Sequence, residues 1–186
     1  MPKSSCVPTR NDLERLVPEI VRVINQSYAY LLWFTHVFPG LTETERGYRL
    51  VIQNNLFEGT LLNLRKLNEF FKTGEKRDDD ARAHHFPGFT EDSTFLKESD
   101  LKKIHKSLAH LTYHNELGSW NMAKAMEAAL KSSLPFLDYL IRDFYGGDEE
   151  KAILVIALKN AIPRVLAQVE KTREVEESAG DAPGIS

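Results

Sequence analysis

The amino-acid sequence predicts an all-α protein, an antiparallel bundle of about five helices. Three observations carry that expectation. Apolar residues recur with the helical period of about 3.6, and no stretch alternates as a strand would. Proline, glycine and capping residues divide the chain into helix-sized pieces. Most of the connections between those pieces are short, which favours antiparallel neighbours.

The first helix is expected from a cap at Asn11 or Asp12 to about Val37. Its apolar stripe includes Leu13, Leu16, Ile20, Val23, Ile24, Ser27, Leu31 and Phe34. Pro18 either kinks this helix or marks its effective start, because proline cannot donate to the preceding turn. Phe38-Pro39-Gly40 stops it. Thr42 and Glu45 have the spacing of a capping box and open a second helix that runs unbroken to Lys72. Residues 73–98 are polar and hold Gly74, Pro87 and Gly88, so they form a long connection, with Phe86, Phe89, Phe95 and Leu96 available to pin it to the bundle.

Ser99 or Asp100 caps a third helix, expected over about 99–115. Gly118-Ser119 ends that unit and leads into a fourth, about 120–144, with Pro135 inside it. Gly146-Gly147-Asp148 is a stop followed by a new cap, and the fifth helix spans about 149–174, bent at Pro163. The whole chain, 1–186, is expected to be one helical domain with an ordered core at about 11–175 and polar tails.

Bulk properties exclude several classes of protein. A net charge of −3 is not that of a general nucleic-acid coat, although it leaves room for a local basic patch. Cys6 is the single cysteine, so neither a disulfide framework nor a Cys-rich zinc site is available, which suits a reducing compartment. The first residues, MPKSSCVPTRND, lack the apolar run of a signal peptide, and the apolar stretch Tyr28–Phe38 falls short of the ~18 residues of a membrane span. A cytoplasmic protein with no membrane association is the expectation.

The polar residues that could carry chemistry gather on the second and third helices. Asn54, Glu58, Leu61 and Arg65 are separated by four, three and four residues, so at about 100° per residue they share one narrow stripe. The simpler reading of that stripe is a half-solvated Glu58–Arg65 network. On the third helix Lys106, His110 and His114 are one turn apart, with Lys103 two turns before His110. A histidine beside lysines can move a proton next to a phosphate; its structural alternative is a packing histidine bonded to a carboxylate. His110 and His114 also have metal-ligand spacing, but no HExxH pattern accompanies them, and neither a metal nor any other cofactor is implied. Trp33 and Trp120 are read as packing residues.

The segments NNLFE (Asn54–Glu58), RKLNEFF (Arg65–Phe71), the acidic run Asp78–Asp80, Phe86-Pro87 and KSLAHLT (Lys106–Thr112) together resemble a bacterial family of HEPN-like helical proteins, which includes an abortive-infection branch. The resemblance covers about residues 54–113, near a third of the chain. It implies a HEPN-like helical bundle and a homodimer. HEPN ribonucleases bring together, from each protomer, an arginine and a histidine with four to six residues between them. The family's histidine falls on His110 and its upstream lysine on Lys106. The positions where the arginine would stand hold His105, Ile104 and Lys103, and lysine lacks the planar donor fork of arginine.

Two functions follow as expectations. One is a non-catalytic dimeric interaction module that binds a partner protein, a nucleotide or RNA, with Asn54, Glu58, Arg65 and His114 as binding residues. The other is a metal-independent RNase of phage defence or of a toxin-antitoxin system. There His110 would be the general acid or base, and Lys106 and Lys103 would stabilise developing phosphate charge.

Overall fold

A computed structural model of the chain describes residues 8–33, 42, 46–72, 81–91, 94–109 and 122–180; side chains are described for these except 46–54, 107, 109 and 174–180. Five α-helices account for most of them: α1 (Arg10–Leu32), α2 (Arg46–Phe71), α3 (Glu98–Ala109), α4 (Met122–Tyr139) and α5 (Glu149–Gly180). No strand occurs among the described residues. The all-α bundle expected from the periodicity is the architecture observed.

α1 begins earlier than Asn11 or Asp12 suggests. Thr9 is its cap: Asp12 N–H donates to Thr9 Oγ1 at 3.3 Å, and Thr9 N–H donates back to Asp12 Oδ2 at 2.9 Å. This reciprocal box satisfies donors the first turn leaves open and starts the helix far enough ahead of Pro18 for the proline to be carried inside it. Accepting hydrogen bonds from Thr9 also keeps the Asp12 carboxyl below its ordinary range. The buried face of α1 is Leu13, Val17, Ile20, Val23, Ile24, Ser27 and Leu31, close to the expected stripe, with Leu16 half-buried. Phe34 and the Phe38-Pro39-Gly40 stop lie outside the described residues, as does Glu45 of the box expected to open α2.

α1 packs on α2, α4 and α5, so it is the axis of the bundle, and α3 packs on α2. Gly59 marks a close approach between α1 and α2: a Cβ there would lie 2.7 Å from the Tyr30 hydroxyl. The long connection is fastened rather than loose over its described part. Phe86, Phe89 and Leu96 are buried in the common core and Phe95 packs against it. The Asn68 side chain of α2 reaches out to hold the same segment, its Oδ1 accepting from Phe95 N–H at 3.3 Å and Leu96 N–H at 2.8 Å.

One end of the bundle is an aromatic cluster. The Phe136 ring has the centroids of Phe70, Phe71, Phe86, Phe89 and Tyr139 within 5.0 to 6.1 Å, mostly edge-on. Each such ring contributes about 1.5–3 kcal/mol by burial alone. Tyr139 keeps its hydroxyl satisfied by donating to Pro87 O at 2.8 Å. Arg10 closes the cluster from outside, its guanidinium 3.7 Å from the Phe144 ring centroid and donating to the Phe144 carbonyl.

α4 passes through Pro135 and then widens into a π-helical turn, Leu140–Phe144, where the sequence suggested one helix to 144. Tyr145 N–H reaches Leu140 O at 2.9 Å and Gly147 N–H reaches Ile141 O at 3.0 Å. Gly146 and Gly147 follow at φ +60° and +78°, the left-handed conformations that end helices at glycine. Asp148 then caps α5 by accepting from Lys151 N–H at 3.2 Å.

α5 departs from one sequence expectation. The stretch Glu149–Arg173 contains an 18-residue window of mean hydropathy 1.5, long and apolar enough to cross a bilayer by length and composition, although 33% of that window is buried within the chain. Lys159, Asn160 and Arg164 interrupt it, so it holds no unbroken apolar run of that length.

Candidate functional site

α2 and α3 lie side by side, and the polar contact between them joins the expected Arg65 to two residues outside the expected set, Glu69 and His105. Arg65 turns towards its own C-terminal neighbour, its Nε donating to Glu69 Oε1 at 2.9 Å. His105 of α3 brings Nε2 to 3.7 Å from the same carboxylate oxygen. Arg65, Glu69 and His105 thus form one polar group where the two helices meet. All three are partly solvated, so the pairing contributes a few tenths of a kcal/mol to about 1 kcal/mol.

The stripe of Asn54, Glu58 and Arg65 is divided. Glu58 is exposed and makes no ion pair with Arg65. Asn54 lies in α2 one turn before Glu58, with its side chain outside the described residues. Lys103 is half-buried and Lys106 exposed, both on α3. Lys102 joins them on the solvent side of the helix, since Leu101, Ile104 and Leu108 face α2 and the core. His110, His114 and Trp120 lie outside the described residues. Trp33 is half-buried at the end of α1.

Glu69 and His105 are the contacts the sequence reading did not single out. The signal for Glu69 was present as a carboxylate four residues after Arg65, the spacing that places two side chains on one helix surface. His105 carried no such local mark, because its partner sits on another helix.

A second charged group joins α1 to α2. Arg22 pairs with Glu19 at 2.5 Å, and Lys66 of α2 approaches Glu19 at 3.8 Å. Hydrogen bonds from Arg22, with the Lys66 charge behind them, hold the Glu19 carboxyl below the usual range.

In the connection, Ala83–His85 forms a 3-10 turn, and the His84 and His85 rings meet edge to face at 4.6 Å. Arg82 N–H donates to His85 Nδ1 at 3.3 Å, which requires that nitrogen to be unprotonated. Burial first, then the charges of His84 and Arg82, push the His85 pKa below its ordinary value. Among the described residues no three His, Cys, Asp or Glu side chains converge as a metal site.

Chemically, α3 carries Lys102, Lys103 and Lys106 on its solvent side, and α2 carries the ion-paired Arg65 guanidinium and the exposed Glu58 carboxylate. That arrangement does not by itself place an acid and a base across a common reacting atom. No protein-family model, no curated protein and no solved structure matches the chain.

Proposed function

We propose that the chain is a HEPN-like helical protein acting as a non-catalytic, homodimeric binding module of the cytoplasm, with RNA or nucleotide phosphate held against the α2–α3 face. The pairing of Arg65 with Glu69 carries this reading. A guanidinium engaged by a neighbouring carboxylate, with His105 on the same oxygen, braces two helices. The charge-stabilising fork of a phosphoryl-transfer site has to be turned towards the reacting phosphate instead. Lys102, Lys103 and Lys106 supply local positive charge on a chain whose net charge is −3, which suits weak, salt-sensitive attraction of a phosphate backbone.

Fluorescence anisotropy with a short labelled single-stranded RNA tests the binding half. Contacts from three lysines give a slope of log K against log salt of about −2, and Lys102→Glu with Lys106→Glu removes the binding. The catalytic half is tested by incubating wild type and His110→Ala with total RNA and with a tRNA pool. Both samples are expected to leave the RNA intact. Cleavage by the wild type that His110→Ala lacks would replace this reading with the metal-independent RNase.

A further inference from the structure

Ala152 to Pro163 carries a single charge, Lys159, and that charge is neutralised by an ion pair with Asp138. Apart from Lys159 its only polar side chain is the exposed Asn160, and a helix segment otherwise apolar around its circumference belongs largely in an interior. Only one side of this one is covered: Val155, Leu158 and Ile162 are buried against the bundle, whereas Ile153 is 64% and Leu154 72% exposed. Beside the exposed pair runs a groove of about 550 Å3 between α1 and α5, walled by Val17, Val21 and Asn25 on one side and by Leu154, Ala157 and Ala161 on the other.

The uncovered side has a pattern. Glu150, Leu154, Ala157, Ala161 and Arg164 follow at steps of four, three, four and three, which puts them in a stripe about 80° wide with Ile153 on its flank. That is the spacing of a helix-pairing seam, and small residues at its centre let a second helix approach closely. The seam ends in opposite charges, exposed Glu150 and exposed Arg164, each seven residues from Ala157. A bilayer does not match this: Lys159 is tied to Asp138, and Asp148, Glu149 and Glu150 would meet the headgroups with negative charge. A second copy does. Turned antiparallel about Ala157, it sets each Glu150 opposite an Arg164 and each Ile153 opposite an Ala161.

We propose that the N-terminal half of α5 is where two copies of this chain pair, antiparallel about a two-fold axis beside Ala157, each Leu154 entering the other's α1–α5 groove. The patch is self-complementary, as a two-fold interface must be. The inference rests on the homodimer of the proposed function and gives that dimer a surface; it uses none of the α2–α3 residues.

Sedimentation velocity across the micromolar range, together with a charge swap, tests it. The wild type sediments as a dimer, and Leu154→Glu as a monomer with unchanged far-UV circular dichroism. Glu150→Arg and Arg164→Glu each weaken dimerisation by about tenfold through like charges at both ends, and the double variant recovers it. In a Cys6→Ser background, Ala157→Cys oxidises to a covalent dimer and Ala167→Cys does not. A dimer insensitive to Leu154→Glu and to the charge reversals overturns the α5 interface and leaves the homodimer standing. A wild type that is monomeric throughout overturns both, as does a monomer that floats with vesicles of phosphatidylglycerol through Leu154.

Discussion

The described end of the 73–98 connection and the first half of α5 make an instructive pair, because overall composition ranks their burial the wrong way round. Residues 81–96 have the composition of a loop, yet Phe86 is fully buried and Phe89 and Leu96 nearly so. α5 has the composition of a core helix, yet two of its largest apolar side chains stand in solvent. Apolar content measures what a segment would gain by burial; whether it is buried depends on what the rest of the chain can bring to it. The connection finds a partner because Asn68 accepts from its backbone and a ring cluster is open to its phenylalanines. Among the described residues, α1 and α4 cover one side of α5.

The widest separation between the two regions is expected in truncation. Phe136→Ala removes the ring around which five others pack and is expected to cost about 3–5 kcal/mol. Phe86→Ala, in a segment that reads as loop, falls in the same range. Leu154→Ala, measured on dilute protein so that self-association does not contribute, changes stability by no more than about 0.5 kcal/mol. Urea unfolding of the three variants decides the matter. A Phe86→Ala variant as stable as wild type would show that the connection only rests on the bundle.

Much of this arrangement was legible in the residues and some was not. Helix number, the buried face of α1, the Gly146-Gly147-Asp148 break and the pinning phenylalanines follow from spacings within about one turn of chain. Thr9 rather than Asn11 or Asp12 caps α1 because Asp12 stands at the third helical position and completes a box with it. The π-helical turn at Leu140–Phe144 has no proline within it to announce it. In the candidate site, Arg65 was placed correctly on α2, but whether it would face Glu58 or Glu69 is a choice between neighbours on one helix surface. Glu69 lies one turn from Arg65 and Glu58 two turns, and α3 adds His105 beside Glu69. The exposure of Ile153 and Leu154 depends on which helices are left over to cover α5, and no local spacing encodes that.

A smaller effect separates the two ways the connection is held. Asn68→Ala withdraws the acceptor of two N–H groups, one of them on a buried residue, at an expected cost of about 1–3 kcal/mol. Its Nδ2 is buried without a partner among the described residues, so the wild-type arrangement already carries an unmet donor and the loss belongs near the lower end. Hydrogen exchange at the Leu96 amide should accelerate. Tyr139→Phe removes the bond to Pro87 O but leaves the ring in place, for about 1 kcal/mol. If Tyr139→Phe were the more damaging of the pair, the tether would run through α4 rather than α2.

The least effect expected is a dependence on pH, confined to the connection. His85 has its pKa lowered in the folded protein, chiefly by burial, and its Nδ1 accepts from Arg82 N–H only when unprotonated. Above the ordinary histidine pKa of about 6.5 the ring is neutral whether folded or not, so the bond is intact and pH has no influence through this group. As pH falls below that value the unfolded chain takes up the proton first. Stability is therefore lost on acidification, over the interval between the ordinary pKa and the lower folded one. The ring is partly exposed, so solvent screening keeps the loss small. His85→Gln, which keeps an acceptor but cannot titrate, should flatten the slope of unfolding free energy against pH between about 7 and 5 relative to wild type. An unchanged slope would mean that Arg82 and His85 part without cost, and that the buried phenylalanines and Asn68 alone hold the connection to the bundle.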